Sequence, residues 1–235
     1  MNIKRRGFDP MDYKWFGESE LKKLNRAADE IQFLLDRDYK MTSASEFVAN
    51  HYLLSLRQRN ALKRSLSTEE QYEERMNKSL PNHFLKDDII FIDGFNIIIN
   101  LEVALSQSVL VLGRDGVIRD LAGLRGTYRI IDKTYNALEI LGDFFEKKEV
   151  PGVAFYLDTP VSNSGNLKIL IHQILGKYNF NVDVELVKNP DKILMDKARI
   201  VSADSVILDN CKSWFNISGE IIRDYVDDPF LVDFR

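Results

Sequence analysis

Three short apolar segments of the sequence each end in an aspartate, and this repeated pattern is the clearest sign of chemistry in the chain. The segments read IIFID, VAFYLD and RIVSAD, and their last residues are Asp93, Asp158 and Asp204. A continuous apolar run of this length is typical of a strand buried on both faces of a parallel sheet. Ligands of open parallel α/β sheets bind at the carboxyl ends of the strands, so we expect the three aspartates to share one crevice.

Carboxylates gathered in one crevice predict a cation site, because neighbouring negative charges repel one another unless a cation neutralises them. The alternative is that each aspartate only caps the helix that follows its strand. The chain has one cysteine and three histidines, so a thiolate-rich or histidine-rich metal site is not expected. Oxygen ligands favour Mg²⁺ or Mn²⁺ as the cofactor.

Two further segments could bind an anion beside the carboxylates. Residues 113–129 contain four glycines and four arginines, and arginine binds phosphate bidentately while glycine lets backbone amides approach it. The arginines are Arg114, Arg119, Arg125 and Arg129. The segment TPVSNSGN at 159–166 precedes a predicted helix, so its polar residues could form an anion cradle at the helix N-terminus. These residues are Ser162, Asn163 and Ser164. The alternatives are arginines paired with nearby aspartates and ordinary helix capping.

Strands and amphipathic helices alternate from residue 88 onward, which predicts an α/β domain over 88–235 with a mostly parallel sheet flanked by helices. Further strands are expected at 183–187 and 214–217. The intervening helices are expected at about 127–147, 165–177, 191–197 and 205–212.

Residues 1–80 are expected to form a small all-helical domain, with 81–87 as a linker. Apolar periodicity predicts helices over 19–37, from about residue 42, and over 56–66, and a helical or partly flexible connector over 67–87. Ala44, Phe47 and Val48 are expected to be buried on the second helix. The last two helices have the outline of a helix-turn-helix, in which Arg57, Arg59 and Arg64 would contact nucleic acid. The alternative is a helical packing module with a solvated basic face.

The net charge of −4 is unevenly distributed along the chain. Residues 1–86 carry 16 Lys and Arg against 13 Asp and Glu, whereas residues 87–235 carry 16 against 23. The two parts are therefore about +3 and −7, so any contact with nucleic acid must be local. No apolar run approaches a membrane-spanning length and the start MNIKRRGFDP lacks a signal-peptide core, so we expect a cytoplasmic protein without a membrane partner.

The stretches IDGFN at 92–96, YLDTP at 156–160 and NPDKILMDKARIVSADSVILDN at 189–210 resemble the acidic motifs of PIN-like nucleases, particularly the NYN branch. The resemblance implies a PIN-like sheet and phosphodiester hydrolysis with one or two Mg²⁺ or Mn²⁺ ions, RNA being favoured over DNA as the partner. It also implies that Asn96 braces the turn at the substrate site and that four acids bind metal. These acids are Asp93, Asp158, Asp204 and Asp191, with Asp196 as a rival to Asp191.

Nearly the whole chain also resembles an uncharacterised, mainly archaeal domain-of-unknown-function family with a helical N-terminal part and an α/β C-terminal part. The resembling stretches are RGFDP, DGFN, GRDGVIRDLAGLRGTYR, LDTPVSNSG and SADSVILDN. This resemblance implies the two-part architecture and brings no activity. Two functions stay open: a metal-dependent nuclease, and a non-catalytic nucleic-acid- or nucleotide-binding module that retains the fold.

Overall fold

Two sheets organise the part of the chain that the computed structural model describes, residues 5–123 and 126–235. The larger sheet has four parallel strands. Their spatial order is β5 (Asn181–Val187), β4 (Gly152–Asp158), β1 (Ile90–Asp93) and β6 (Ile200–Val201). The smaller sheet pairs β2 (Leu110–Leu112) with β3 (Ile118–Asp120) antiparallel and with β7 (Leu231–Asp233) parallel. The α/β class with a parallel sheet is therefore confirmed.

Helices cover both faces of the larger sheet, as expected for right-handed crossovers between parallel strands. Alternate strand residues such as Ile92, Phe155 and Leu157 belong to the main buried core. The helices that pack there are α6 (Gly94–Leu105), α7 (Asp132–Lys147), α8 (Ser164–Leu175) and α11 (Ser218–Tyr225). The opposite face, with Tyr156, packs against two short helices. These are α9 (Pro190–Leu194) and α10 (Ser205–Asn210).

The N-terminal region is helical, as the apolar periodicity predicts. Its helices are α1 (Asp12–Trp15), α2 (Glu18–Leu35), α3 (Met41–His51), α4 (Leu56–Ser65) and α5 (Glu69–Lys78). Buried residues of α2, α3 and α4 share one apolar cluster with the smaller sheet, in which Leu62 of α4 joins Val111 and Val232. The helical region is thus packed directly on strands that come from the C-terminal part of the chain.

Several local predictions were wrong. Phe47 was expected to be buried, but 73% of it is exposed. The segment 214–217 was expected to be a strand, but it makes only isolated bridges, both at Trp214. Helix α7 begins at Asp132 and not near 127. The sequence did not reveal α6, whose residues are buried on nearly all sides and therefore lack an amphipathic period.

The connector over 67–87 is largely helical in the structure. It consists of α5 and a short 3-10 helix over Asn82–Asp87. Helix α5 is fixed at its start by a capping box in which Thr68 and Gln71 bond each other's backbone N–H. No helix that the structure describes is both long and apolar enough to cross a membrane.

Candidate functional site

A cleft of about 410 Å³ lies at the carboxyl ends of β1, β4 and β6, and helix α4 forms its opposite wall. Its lining combines acidic, basic and apolar side chains. The acids are Asp93, Asp120, Asp158, Asp191 and Asp204. The cations are Lys63, Arg64 and Arg119, and the larger apolar residues are Phe95, Ile99 and Val206. The three strand-end aspartates therefore share one cleft, and Asp191 from the first turn of α9 joins them.

The Asp-Gly sequence at the end of β1 sets the position of the deepest acid. Helix α6 starts directly after Asp93 and passes close to β4. A Cβ atom on Gly94 would lie 2.5 Å from Leu157 Cδ2 and 3.2 Å from the Tyr156 carbonyl oxygen. Only glycine allows this approach without a shift of β4 or its side chains. Gly94 therefore allows α6 to begin directly after Asp93, which leaves Asp93 at the carboxyl end of β1.

Hydrogen bonds tie the end of β1 to the turn after β6. The Asn96 Oδ1 atom accepts from the Ala203 backbone N–H at 2.8 Å. The Ser202 hydroxyl donates to Asp93 Oδ2 at 2.8 Å and accepts from the Asp204 backbone N–H at 3.0 Å. Two of the cleft acids are thereby held in a fixed relation by side chains that are not themselves charged.

The carboxylates that line the cleft outnumber its lysine and arginine side chains, so their negative charge is only partly compensated. Burial, together with the negative charges of Asp191 and Asp204, raises the pKa of Asp93 to about 7, against a lowering contribution from the Ser202 hydrogen bond. Burial and the charge of Asp191 raise the pKa of Asp158, and burial and the charge of Asp204 raise the pKa of Asp191. These mutual effects require the four carboxyl groups to lie near one another.

Asp204 and Asp196 show the limits of the acidic cluster. Asp204 Oδ1 accepts from the backbone N–H groups of Val206 at 2.8 Å and Ile207 at 3.3 Å, so this aspartate also caps α10. The helix-capping alternative therefore applies to it in part. Asp196, the rival to Asp191, is exposed and does not line the cleft.

The acids of the cleft suit a hard cation that keeps most of its water ligands better than a cation that is enclosed by protein ligands. Among residues 5–123 and 126–235, no three His, Cys, Asp or Glu side chains are grouped so that they could hold a metal ion. Mg²⁺, however, keeps several waters and usually takes one or two carboxylates together with substrate phosphates. The oxygen donors and the uncompensated charge of the cleft fit such an ion. The candidates for these one or two ligands are the carboxylates with raised pKa, namely Asp93, Asp158 and Asp191.

Comparison with known proteins identifies the family of the chain. Residues 82–220 match the family described as "Domain of unknown function (DUF5616)". The chain belongs to this family. Residues 23–78 match a second family, described as "Protein of unknown function (DUF434)". A relative from Methanocaldococcus jannaschii, "Uncharacterized protein MJ0935", is 31% identical over 202 residues, which cover 85% of this chain and 97% of the relative. No solved structure matches the chain.

The cleft is built from both matched segments. The aspartates belong to the DUF5616 segment, whereas Lys63 and Arg64 belong to the DUF434 segment. The sequence did not predict that Lys63 lies beside the acids, because nothing in the local pattern of α4 indicates that this helix faces strand ends about 30 to 140 residues away. The basic residues of this helix, Lys63 among them, were interpreted as the phosphate-contacting face of a separate helix-turn-helix.

Arg119 reaches the cleft but is already committed to partners within the protein. Its Nη1 and Nη2 atoms donate to Asp115 at 2.8 and 2.6 Å, and its Nε atom donates to the Ala203 carbonyl oxygen at 2.8 Å. Arg75 of α5 donates to Asp115 at 2.7 Å and to Asp209 at 2.5 Å. Within the DUF5616 segment, Arg119 therefore supports the Ala203 turn and is not free to bind a phosphate.

The other arginines of 113–129 do not form a phosphate-binding strip in the described structure. Arg114 pairs with Asp29 of α2 and donates to the Phe234 carbonyl oxygen at 3.3 Å, away from the cleft. Arg129 is exposed and does not line the cleft. Arg125 lies outside the described residues. The alternative of arginines paired with aspartates holds for Arg114 and Arg119.

The segment 159–166 fastens a neighbouring loop and does not line the cleft. The Ser162 hydroxyl accepts from the Tyr128 backbone N–H at 2.9 Å and donates to its carbonyl oxygen at 3.0 Å. Asn163 Nδ2 donates to the same carbonyl at 2.7 Å, and the Ser164 hydroxyl donates to the Thr159 carbonyl at 3.4 Å. The polar groups expected to bind an anion are therefore used to hold backbone.

Two of the three arginines assigned to a recognition helix are also structural. Arg57 donates to both carboxylate oxygens of Asp12 at 2.7 and 2.8 Å, and Arg59 donates to the Leu54 carbonyl at 2.9 Å. Only Arg64 lines the cleft, where its Nη1 atom donates to the Asp120 carbonyl oxygen at 2.7 Å. The side chains of α4 thus do not support a recognition helix for a DNA groove.

Proposed function

We propose that the protein is a divalent-metal-dependent nuclease with a PIN-like α/β part that hydrolyses phosphodiester bonds of nucleic acid, RNA in preference to DNA. The observation that carries this proposal is the meeting of Asp93, Asp158, Asp191 and Asp204 in one cleft. The raised pKa values of Asp93, Asp158 and Asp191 support the proposal, because a purely structural acid is normally paired. The preference for RNA follows from the resemblance to PIN-like nucleases.

The residues of the cleft would have two roles: some would bind a cation, and others hold the cation's ligands in place. One or two of the carboxylates of Asp93, Asp158 and Asp191 would hold Mg²⁺ or Mn²⁺ together with water and substrate oxygens. When bound, the ion would activate water and stabilise the developing negative charge of the phosphate and the leaving oxygen. Asn96 and Ser202 keep Asp93 and the Ala203–Asp204 turn aligned through their hydrogen bonds.

A matched pair of aspartate variants tests the nuclease proposal. Labelled single-stranded RNA and DNA are incubated with wild type, Asp93→Asn or Asp196→Asn, with Mg²⁺, Mn²⁺ or EDTA. We expect metal-dependent cleavage of RNA by wild type and by Asp196→Asn, since Asp196 does not line the cleft. Asp93→Asn should lower the cleavage rate by roughly 100-fold or more, because it removes a ligand and a negative charge. Unchanged cleavage by Asp93→Asn would mean that the strand-end acids are structural.

The second candidate function is a nucleic-acid-binding module without turnover. One observation favours it, namely that no three potential ligands in the described residues are grouped for a metal ion. In the same assay this candidate predicts that wild type binds RNA and leaves it intact with either metal. Binding without cleavage by a protein that is folded at the assay temperature would therefore decide for this function.

A further inference from the structure

Helix α4 places Lys63 on the wall of the cleft. A capping box fixes the start of the helix, with Gln58 Oε1 accepting from the Ser55 backbone N–H at 2.9 Å. Ala61, Leu62 and Ser65 are buried against the rest of the protein, whereas Lys63 is exposed on the wall of the cleft. The position of Lys63 is thus set by the packing of its helix and not by a mobile loop.

Lys63 differs from the other two cations of the cleft in its partners. Arg119 is held by Asp115 and by the Ala203 carbonyl, and Arg64 donates to the Asp120 carbonyl. In the part of the chain that the structure describes, no carboxylate lies within ion-pair distance of Lys63. Its ammonium group, with three donors, is therefore available to an external anion.

The apolar wall of the cleft adds a second requirement for the ligand. Phe95 and Ile99 are four residues apart on α6 and so lie on the same helix face. Val206 is 55% exposed and lines the cleft as well. A ligand that suits the whole lining has an anionic group for Lys63 and an apolar or aromatic body for this wall. A nucleotide unit of a single strand has both parts.

We propose that Lys63 binds a backbone phosphate of a single nucleic-acid strand next to the acids, so that the N-terminal helices complete the substrate site. This inference rests on the proposed function, and it assigns a substrate-binding role to a residue of the DUF434 segment. The N-terminal region is then neither a separate DNA-reading domain nor only a packing module. Its contribution is one wall of the cleft that receives the strand.

Binding without cleavage is the direct test. The probe is a fluorescein-labelled single-stranded oligoribonucleotide of about 12 nucleotides, and its affinity is measured by anisotropy in EDTA at several salt concentrations. The variants are Lys63→Gln, Lys63→Arg and the matched control Lys22→Gln, which removes a charge from an exposed lysine of α2. Because Lys63 is exposed, all variants should fold, and their thermal melting is compared with that of wild type.

We expect Lys63→Gln to weaken binding roughly tenfold at low salt and to reduce the slope of affinity against salt by about one phosphate contact. Lys63→Arg should retain most of the affinity, and Lys22→Gln should behave as wild type. An affinity and salt slope of Lys63→Gln equal to those of wild type would overturn the inference, as would wild type that does not bind the probe. A different result would contradict the nuclease proposal alone: no cleavage with Mg²⁺ or Mn²⁺, together with binding that still depends on Lys63.

Discussion

Asp93, which is partly buried, and Asp115, which is fully buried, are two aspartates in opposite electrostatic surroundings. Asp115 accepts two hydrogen bonds from Arg119 and one from Arg75, and these guanidinium groups hold its pKa below the usual value despite burial. Asp93 has a serine hydroxyl as its hydrogen-bonding side chain and faces other carboxylates, and burial raises its pKa to about 7. Both residues are linked to the turn at Ala203, Asp115 through Arg119 and Asp93 through Ser202.

The difference teaches which acid is structural and which is available for chemistry. A buried charge is tolerated when it is paired and fully hydrogen-bonded, as in the Arg75–Asp115–Arg119 network. A buried carboxyl group with no cation beside it is more stable in the protonated form. A cation that binds next to it favours the ionised form. Asp115 therefore stabilises the fold around the cleft, whereas Asp93 lowers the stability of the metal-free fold and so favours cation binding.

The largest effect is expected when the paired acid is lost. Asp115→Asn leaves the buried Arg119 without a carboxylate and Arg75 with Asp209 alone, so we expect the free energy of unfolding to fall by about 3–5 kcal/mol. Urea unfolding followed by circular dichroism measures this change. The matched control is Asp196→Asn, an exposed position outside the cleft, which should change the free energy of unfolding by less than about 0.5 kcal/mol. Similar small effects for both variants would show that the network is not structural.

The second effect is a pH dependence that comes from the unpaired acid. Since the folded pKa of Asp93 is about 7 and the unfolded value is about 4, the folded state retains a proton that the unfolded state releases between these pH values. The free energy of unfolding should therefore fall by a few kcal/mol as pH rises from about 4 to about 7. Asp115 acts in the opposite direction, because its lowered pKa gives stability that is lost only in acid.

Asp93→Asn isolates this contribution. In EDTA we expect the variant to match wild type below about pH 4, where Asp93 is protonated in both the folded and the unfolded state, and to exceed it in free energy of unfolding at pH 8. Adding Mn²⁺ at pH 8 should stabilise wild type and not the variant, because the proposed ion would bind next to the ionised carboxylate. Parallel pH profiles of the two proteins in EDTA would contradict the assignment of a raised pKa to Asp93.

The sequence was sufficient to predict the parallel sheet and the meeting of the strand-end acids. Both follow from local patterns, since a buried parallel strand reads as an apolar run and its carboxyl end borders the crevice. The aspartates Asp93, Asp158 and Asp204 carried that information in their own segments. The fourth acid was assigned as Asp191 or Asp196, and the structure brings Asp191 to the cleft.

The cations of the site could not be predicted in the same way. Whether an arginine is free or paired depends on which residues meet in space, and Arg114 finds its partner 85 residues away in α2. Arg119 finds its partner only four residues away, but the pairing requires the turn between β2 and β3. Lys63 reaches the cleft because α4 packs on the smaller sheet, a contact between segments that no local period records.

The smallest effect is expected at Arg114. Its substitution tests whether binding of the oligoribonucleotide depends on the number of basic residues in the chain or on where an unpaired cation lies in the structure. Arg114 pairs with an Asp29 side chain that is 71% exposed, and solvent-exposed ion pairs of this kind contribute less than about 1 kcal/mol. Arg114→Gln should therefore lower the free energy of unfolding only slightly and leave binding of the oligoribonucleotide unchanged. Lys63→Gln removes the same charge at the cleft and should weaken that binding. If Arg114→Gln weakened binding as much as Lys63→Gln, net charge and not position would govern association, and the distinction between paired and available cations would fail.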